Sequence, residues 1–325
     1  MKLGITGNGM IVKDLMQMIH KLGFEKVYIQ GREASREKVE QLVREYHLTG
    51  SFYDYEEMLK SDVDVVYVAL PNHLHYSFAK KALEYKKHVI IEKPATSNAG
   101  ELKELAKLAD GQKRMIFEAM NIHYLPSFQA LKEDLAKLGE IRMVSLNYSQ
   151  YSSRYDAFRQ GTILPAFDPN MSGGALMDIN VYNVHAVMGL FGIPEYARYY
   201  ANVERGIDTS GMMVYDYGTF KAVSIGAKDC RAPIVSTIQG NQAAIVIEKP
   251  VNQMVEYRIL YNDGREESRQ FGQTEHRMYY EFAEFIRMME EEDFETCQRM
   301  LDLSCETAEL MTRVRKEEGI IFAND

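Results

Sequence analysis

The sequence predicts an α/β protein with a doubly wound parallel sheet, followed by an α+β domain with a large open, mostly antiparallel sheet. Two observations carry this prediction. Strands and helices alternate through the first third of the chain, and the later strands are joined by short turns. The 325 residues are enough for two domains with substantial cores. We place the first domain at residues 1–121 and the second at residues 122–325.

The first element is a strand at residues 2–6, which leads into a glycine turn and a helix that ends near His20. This order is typical of the Rossmann fold, where backbone N–H groups receive a dinucleotide pyrophosphate. Val12 occupies the place of the third fingerprint glycine, so the motif also suits a glycine turn in another kind of α/β protein. The turn residues predicted to bind the dinucleotide are Gly7, Asn8, Gly9, Met10 and Ile11.

Three further apolar strands continue the parallel sheet, at residues 27–30, 63–70 and 88–91. Helices are predicted between them at residues 35–46 and 73–85. Because ligands of such sheets bind beyond the carboxyl ends of the strands, residues near these ends are candidate cofactor contacts. Those selected are Leu70, Pro71, Asn72, His75, Glu92 and Lys93.

The residues after the second strand predict which dinucleotide is bound. An Asp or Glu usually holds the free ribose 2′-hydroxyl of NAD at this place, whereas this chain has Gln30, Gly31 and Arg32. A guanidinium suits a 2′-phosphate, because the two groups form paired charge-assisted hydrogen bonds. The sequence therefore favours NADP(H) over NAD(H). NAD stays possible if Arg32 is only a solvated residue beside Glu33.

The second domain begins with a helix at residues 127–138 and a strand at residues 141–151, and helices at 276–291 and 294–316 close it. Between them, strands are predicted at residues 196–204, 211–217, 219–228, 235–239, 243–248 and 254–262. The last of these strands is followed by Asn262-Asp263-Gly264, which is a hairpin signal. Helices on one side of an open sheet leave its other face to be covered. We therefore expect a homodimer or homotetramer that forms through this sheet.

One helix of the second domain carries the residues that point to chemistry. At about 100° per residue, Asp178, Tyr182 and His185 fall in one stripe, and the other faces are apolar. No other charged residue occurs between Asp168 and Glu195. A buried carboxylate is costly without a partner, so the stripe either lines a cleft or forms an ordinary hydrogen-bonded pair in the core.

Four segments occur in a consistent order along the chain. They are the N-terminal glycine turn, Pro71-Asn72-His73-Leu74-His75, Glu92-Lys93-Pro94, and Phe167-Asp168-Pro169 ahead of Gly173-Gly174-Ala175-Leu176-Met177-Asp178. Together they resemble the Gfo/Idh/MocA oxidoreductase family, from Lys2 to about Phe322. The spacing of Asp178 and Tyr182 is similar to that of the branch containing glucose–fructose oxidoreductase and dimeric dihydrodiol dehydrogenase.

The resemblance implies that Lys93 lies near the nicotinamide and the substrate hydroxyl, with a cis bond to Pro94. It also implies that Tyr182 gives or takes the hydroxyl proton and that Asp178 is the orienting partner of Tyr182. An ammonium at a rigid strand end would stabilise a developing alkoxide, which suits this role for Lys93. The expected substrate contacts, besides Lys93 and Tyr182, are His123, where many relatives have Arg, Arg154, which we place in a loop, and His185.

These features predict an NAD(P)-dependent oxidoreductase that transfers hydride between its cofactor and a hydroxyl or carbonyl of a sugar, polyol or similar small molecule. The alternative is a dinucleotide-binding regulatory protein of the same fold that has lost turnover. The simultaneous presence of Lys93, Asp178 and Tyr182 favours the enzyme, because a decayed site would be expected to lack one of them.

The composition limits the partners. A formal net charge of −9 disfavours nucleic acid and anionic membranes, which attract basic surfaces. The 3 cysteines have spacings that match no zinc site, and we expect no bound metal. No apolar run reaches membrane-spanning length and no leader precedes the first strand, so we expect a cytoplasmic protein.

Overall fold

The computed structural model describes residues 1–272 and 274–325. It divides into two compact units. The first unit comprises Met1–Ala119 and Met278–Cys305, and the second comprises Met120–Arg277 and Glu306–Asp325. Each unit contains one sheet and its own core.

The first unit is built on a parallel sheet. Its strands are β1 (Lys2–Thr6), β2 (Lys26–Gln30), β3 (Gly50–Phe52), β4 (Val65–Val68), β5 (His88–Glu92) and β6 (Ile116–Ala119). They pair in the order β3-β2-β1-β4-β5-β6, and every pair is parallel. All residues of β4 are buried, as expected for a strand that is covered on both faces. The predicted doubly wound parallel sheet is therefore confirmed.

Helices connect these strands. They are α1 (Met10–Met16), α2 (Arg36–Glu45), α3 (Tyr55–Lys60), α4 (His75–Glu84) and α5 (Ala99–Gln112). Side-chain caps fix two of the starts, because Asp54 accepts from the N–H of Glu57 and Asn98 from that of Glu101. β3, β6, α3 and α5 are additional to the predicted elements. β3 is only three residues long and shows no alternation, so the sequence gives little sign of it.

The second unit contains the larger sheet. Its first elements along the chain are α6 (Pro126–Asp134), β7 (Ile141–Ser149), α7 (Ser153–Arg159), a π turn (Leu176–Asn180) and α8 (Val181–Phe191). They are followed by β8 (Tyr196–Glu204), β9 (Ile207–Asp216), β10 (Lys221–Ala227), β11 (Ser236–Gly240), β12 (Ala243–Ile247), β13 (Glu256–Tyr261) and β14 (Glu266–Gln270). The sheet order is β14-β13-β12-β11-β7-β10-β9-β8.

The pairing in this sheet is antiparallel except between β7 and β10. This confirms the predicted open, mostly antiparallel sheet. The hairpin predicted at Asn262-Asp263-Gly264 is also confirmed, because β13 and β14 pair antiparallel across it and Gly264 has φ +89°.

The two faces of the second sheet differ in burial. One row of residues that are in register across seven strands is buried, and it consists of Ala197, Tyr215, Ala222, Val144, Ile238, Ile245 and Ile259. On the opposite face Tyr196, Tyr200, Met212 and Val214 are exposed on the paired strands β8 and β9. The alternation of strand side chains thus gives this sheet one core face and one open face.

The closing helices are α9 (Tyr279–Glu290) and α10 (Phe294–Glu317). α9 belongs to the first unit, where Phe282 meets Tyr67 edge-on at 5.1 Å between ring centroids and Phe285 stacks on Phe117 at 4.6 Å. By contacts within each unit, α9 and the residues of α10 up to Cys305 belong to the first unit and the residues of α10 from Glu306 onward belong to the second, whereas the sequence predicts both helices in a second domain of residues 122–325. An amphipathic pattern indicates that a helix buries one face, but it does not indicate against which sheet.

Within the described residues, no helix is long and apolar enough to cross a membrane.

Candidate active site

The glycine turn after β1 brings its backbone close to the end of β4. Gly7 has φ +113°, and a Cβ at this position would lie 2.3 Å from the carbonyl oxygen of Ala69, so no other residue fits. A Cβ at Gly9 would meet nothing within 4 Å. The side-chain amide nitrogen of Asn8 is buried without a hydrogen-bond partner among the described residues. A tight turn with open space above it and an unused donor beside it fits a bound pyrophosphate.

The end of β2 leaves one cation available. Gln30 is buried, its Oε1 accepts from Thr6 Oγ1 at 2.6 Å, and its Nε2 donates to the carbonyl oxygen of Gly31 at 3.0 Å. Its amide is therefore committed and cannot replace the acidic residue that holds a ribose 2′-hydroxyl. Arg32 is exposed, and within the described part of the chain its guanidinium has no ion pair. Arg36, by contrast, is paired with Glu33 at 2.7 Å.

The Glu92-Lys93-Pro94 segment is fixed on both sides of its lysine. The hydroxyl of Tyr67 donates to Glu92, which is buried. The carbonyl oxygen of Pro94 lies 2.9 Å from Nδ1 of His75. The peptide bond between Lys93 and Pro94 is cis, as the resemblance implies. Lys93 itself is partly exposed, between two buried residues.

His75 also reaches the loop after β4. Its Nε2 lies 2.7 Å from the carbonyl oxygen of Leu70, which precedes Pro71 and Asn72. The imidazole is fully buried, and burial lowers its pKa below the usual range. Both ring nitrogens are engaged by backbone, so a role for His75 in cofactor binding has to be indirect. It connects the two strand-end loops predicted to meet the cofactor.

The segment around Asp178 differs from the predicted single α-helix. Asp178 lies in the π turn and Tyr182 lies in α8, so the helical geometry changes between them. A π turn is wider than an α turn, and it alters the angle between side chains four residues apart. Tyr182 is buried, with its ring 6.3 Å from that of Tyr148 on β7. Periodicity of 3.6 residues could not predict this, because it assumes one helix type throughout.

Two glycine contacts set the π turn on the sheet. A Cβ at Gly226 of β10 would lie 2.5 Å from Cβ of Asn180, so the close approach of the two elements depends on glycine. Asn180 is fully buried, and Asn183 donates to its side-chain oxygen at 3.1 Å and to the carbonyl oxygen of Ile225 at 3.1 Å. Gly174, just before the turn, has φ +103°. These contacts hold Asp178 and Tyr182 on a rigid support.

Asp178 has a partner that the sequence prediction missed. Its Oδ2 accepts a hydrogen bond from Nζ of Lys228 at 2.6 Å. Lys228 directly follows β10, with Ala222, Ser224 and Gly226 on the face of that strand that carries the π turn. The alternation of the strand places Lys228 on the same face. This alternation could have placed Lys228 on that face from the sequence alone. It could not have identified Asp178 as the partner of Lys228.

The three other predicted substrate contacts are placed differently from one another. His123 and His185 are buried, with 3.3 Å between Nε2 of the first and Nδ1 of the second. Burial, with the nearby His185, holds the pKa of His123 well below its usual range, so the ring is neutral. Arg154 is exposed and lies in the first turn of α7, which corrects its placement in a loop.

The first unit also contains a cavity of about 750 Å³, lined among others by His88 and Ile116. These residues begin β5 and β6, so the cavity lies at the amino ends of the strands. The glycine turn and Lys93 lie at the carboxyl ends. The cavity is therefore not part of the candidate active site.

Lys93 belongs to the first unit, and Asp178 and Tyr182 belong to the second. That Lys93 and Tyr182 face each other across a substrate stays a prediction.

Comparison with known proteins extends these observations. Residues 1–120 match a family model described as an oxidoreductase family with an NAD-binding Rossmann fold. Over 294 residues the chain is 37% identical to the scyllo-inositol 2-dehydrogenase (NADP(+)) IolU of Bacillus subtilis. The alignment covers 90% of this chain and 89% of that protein. It is 26% identical over 226 residues to the trans-1,2-dihydrobenzene-1,2-diol dehydrogenase of Mus musculus, with 67% of this chain and 65% of that protein covered.

A solved structure shares the fold. It is that of KijD10, a 3-ketoreductase from Actinomadura kijaniata in complex with NADP and TDP-benzene. The TM-score is 0.82, the sequence identity is 20%, and 97% of each chain is covered. At this identity the likeness concerns the fold alone.

Proposed function

The chain belongs to the Gfo/Idh/MocA family of oxidoreductases, and we propose that it is an NADP(H)-dependent dehydrogenase of a sugar, a polyol or a similar small molecule. The observation that carries the proposal is the placement of Lys93. Its side chain is partly exposed between Glu92 and Pro94, which are buried and hydrogen-bonded. A cation held in this way at the carboxyl edge of the sheet suits a substrate oxygen that gains negative charge.

The cofactor is NADP(H). The glycine turn would hold the pyrophosphate through its backbone, and the buried amide nitrogen of Asn8 is a donor suited to the same group. Arg32 is exposed and would bind the 2′-phosphate, while Gln30 is engaged by Thr6. The name of IolU includes NADP(+), and KijD10 was solved in complex with NADP, which supports the same choice.

The residues divide the chemistry between them. A bound nicotinamide would supply hydride transfer to or from the substrate carbon. Tyr182 takes the hydroxyl proton as the C–H bond breaks, so the alcohol loses one hydride and one proton, and in reduction it gives the proton back. We assign to Lys93 the stabilisation of negative charge that develops on the substrate oxygen. Asp178 is assigned as the orienting partner of Tyr182 and acts as a hydrogen-bond acceptor.

The substrate class follows from the relatives. IolU is named for an inositol and KijD10 for reduction of a ketone, and both substrates carry a secondary hydroxyl or carbonyl. Arg154 is exposed near the start of α7 and is available for a substrate oxygen. His123 and His185 contact each other in the interior, so we assign them to holding the site rather than to binding substrate directly.

The protein assembles as a homodimer or homotetramer through the open face of the second sheet. Tyr200 and Met212 are paired across β8 and β9, and Val214 is paired with Val223 of β10 on the same face. Tyr200 is 49% exposed and Met212 45% exposed in the single chain, so the face presents apolar surface that a second copy would cover.

Turnover assays test the proposed function. The purified full-length chain is incubated with NADP⁺ or NADPH and a panel of inositols, aldoses, ketoses and dihydrodiols, and cofactor absorbance is followed. Lys93→Met and Tyr182→Phe should each lower kcat by roughly 10²–10⁴-fold, because each removes a proton-handling or charge-stabilising group. NADPH binding, measured by fluorescence titration, should remain.

Lys113→Met is the matched control, because Lys113 is an exposed lysine of the same unit away from the carboxyl edge. It should leave turnover unchanged. Wild-type activity in Lys93→Met contradicts the assignment of Lys93. Tight NADPH binding by the wild type without turnover on any substrate of the panel contradicts the dehydrogenase function itself.

A further inference from the structure

Lys228, which lies outside the predicted site, contacts Asp178, the carboxylate assigned to orienting Tyr182. Nζ of Lys228 lies 2.6 Å from Oδ2 of Asp178 and donates to the carbonyl oxygen of Ala166 at 2.9 Å. The same nitrogen lies 4.5 Å from the centroid of the Phe167 ring. The ammonium is thereby held by a carboxylate, a backbone carbonyl and an aromatic face, all within the second unit.

The two partners of this ion pair differ in exposure. The side chain of Lys228 is 3% exposed, whereas that of Asp178 is 36% exposed. Transfer of an ammonium to the interior is costly unless a carboxylate and further acceptors compensate. The lysine is therefore fixed by its surroundings, and it fixes in turn a carboxylate that still reaches solvent.

A second carboxylate, that of Asp208, contacts the backbone of the same π turn. Asp208 of β9 is fully buried, and its Oδ2 accepts from the backbone N–H of Leu176 at 2.6 Å and from the hydroxyl of Tyr199 at 2.8 Å. A Cβ at Gly174 would lie 2.1 Å from Oδ1 of Asp208, so the turn packs directly on this group. Burial raises the pKa of Asp208, and the charge of Lys228 opposes that effect.

Stability alone is a poor explanation for such a pair. Replacement of a buried ion pair by apolar residues of similar volume is often neutral or stabilising, so the pair is weak support for a purely structural role. The geometry instead leaves one consequence for the chemistry. With Oδ2 on an ammonium, Asp178 is held as an ionised hydrogen-bond acceptor in one orientation.

We infer that Lys228 is a positioning residue for the dehydrogenase reaction, holding Asp178 ionised and oriented so that it accepts a hydrogen bond while Tyr182 carries the proton. The inference rests on the proposed function. It assigns Asp178 no proton transfer of its own. Among the described residues, the charged and titratable groups near Lys228 include Asp178 on the π turn, Asp208 on β9, which accepts from Tyr199 of β8, and Asp229 beside it in the chain.

Lys228→Met and Lys228→Arg test this inference in the full-length protein with NADP(H) and the active substrate. Lys228→Met should lower kcat by roughly 10²-fold, the size expected when a reacting group is misplaced by about 1 Å. KM for NADP(H) should stay within a factor of about two. The acidic limb of the pH profile of kcat/KM should move to higher pH, because the carboxylate loses the cation that favours its ionised form. Lys228→Arg should restore most of kcat.

Lys221→Met is the matched control. Lys221 lies on the same strand, β10, and pairs with Asp216 at 2.8 Å, but its side chain is 49% exposed. Its loss should change neither kcat nor the pH profile. Asp178→Asn and the double variant Lys228→Met/Asp178→Asn complete a double-mutant cycle with Lys228→Met and the wild type. The double variant removes both charges, so it should fold even where Lys228→Met alone does not, and its kcat should equal that of Asp178→Asn.

The outcomes separate the inference from the proposed function. Wild-type kcat and an unmoved acidic limb in Lys228→Met overturn the inference. A double variant that is unfolded, or that is less active than Asp178→Asn, also overturns it, because Lys228 would then act through Asp208 or through stability alone. A wild type that turns over no substrate overturns both the inference and the proposed function.

Discussion

Nδ1 of His75 and the carbonyl oxygen of Pro94 lie 2.9 Å apart, and this contact fixes the residue that directly follows Lys93. On the other side of the ring, Nε2 lies 2.7 Å from the carbonyl oxygen of Leu70. A neutral imidazole carries one N–H, so its tautomer decides which carbonyl accepts a hydrogen bond. One buried side chain thus connects the lysine loop to the loop after β4.

Substitutions of His75 should distinguish these two contacts. Asn places its amide near the position of Nδ1 and can still donate to Pro94, whereas Gln reaches the position of Nε2 and Leu70. If the Pro94 contact sets the position of Lys93, His75→Asn should keep more activity than His75→Ala, which should lose roughly 10²-fold in kcat/KM. Steady-state kinetics with thermal unfolding as a folding check measures this. Equal activity of all three variants would contradict the positioning role.

Arg32 should determine the preference between the two dinucleotides. Arg32→Ala should raise the Kd for NADPH by roughly 10-fold to 100-fold, because a charge-assisted contact to phosphate contributes about 1.5–3 kcal/mol. The Kd for NADH should change little, since NADH has no 2′-phosphate. Fluorescence titration with both cofactors gives the ratio. Arg36→Ala is the control, because Arg36 is paired with Glu33, and an equal loss in that variant would contradict the assignment.

Gly226 should be required for the approach of the π turn to β10. A Cβ would lie 2.5 Å from Cβ of Asn180, so Gly226→Ala should lower the free energy of unfolding by about 1–3 kcal/mol through overpacking. Chemical denaturation measures this. Gly111→Ala on α5 is the control, because its Cβ would meet nothing within 4 Å, and it should stabilise by up to about 1 kcal/mol. Destabilisation by both variants to the same extent would refute the packing argument.

His88 should make stability fall in mild acid. Burial, with a smaller effect of Arg114, lowers its pKa from 6.5 to about 4. As pH falls, His88 in the unfolded chain therefore binds a proton before His88 in the folded chain does. Its contribution to the free energy of unfolding is complete above pH 6.5 and is lost as pH falls to about 4.

The comparison with His88→Asn isolates this effect, because Asn can still accept from the N–H of Met115 as His88 does at 3.0 Å. Between pH 7 and pH 4, the difference in unfolding free energy between wild type and variant should shift against the wild type by at most about 3 kcal/mol. His75 and His123 have lowered pKa values of the same sign but are present in both proteins. A difference that is independent of pH would contradict the expectation.

The open face of the second sheet should be where the chain assembles. Met212→Lys places a charge in the middle of this face and should convert the oligomer to monomers, as measured by size-exclusion chromatography with light scattering. Ile193→Lys is the control, because Ile193 is 64% exposed but lies outside the strands of the sheet. A monomeric wild type, or an intact oligomer in Met212→Lys, would contradict assembly through this face.

Local patterns in the sequence were sufficient for much of the fold. Short buried strands, the glycine turn and the hairpin at Asn262-Asp263-Gly264 each depend on a few neighbouring residues, and each is present in the structure. Element boundaries differ by a few residues, and short pieces such as β3 were not predicted, because three residues carry no readable period. The positions of Lys93, Asp178 and Tyr182 followed from motifs that are also local.

The partners of those residues could not be predicted in the same way. The ion pair between Asp178 and Lys228 joins residues 50 positions apart, and the contact of His75 with Pro94 joins residues 19 positions apart. The periodicity of a strand gives the face on which a side chain lies, but not the group that packs against that face. The π turn was predicted as α-helix, because a period of 3.6 residues does not reveal a local widening.

The sequence by itself determined the order of the elements, the glycine turn after the first strand and the residue types to which the chemistry is assigned. Each of these depends on backbone preferences and side-chain periods within a short stretch of chain. Only the tertiary structure decided that α9 packs in the first unit and that Lys228 lies behind Asp178. Both depend on which distant surfaces fit together, and the physical reason is that packing and ion pairing are set by shape and burial, not by spacing along the chain.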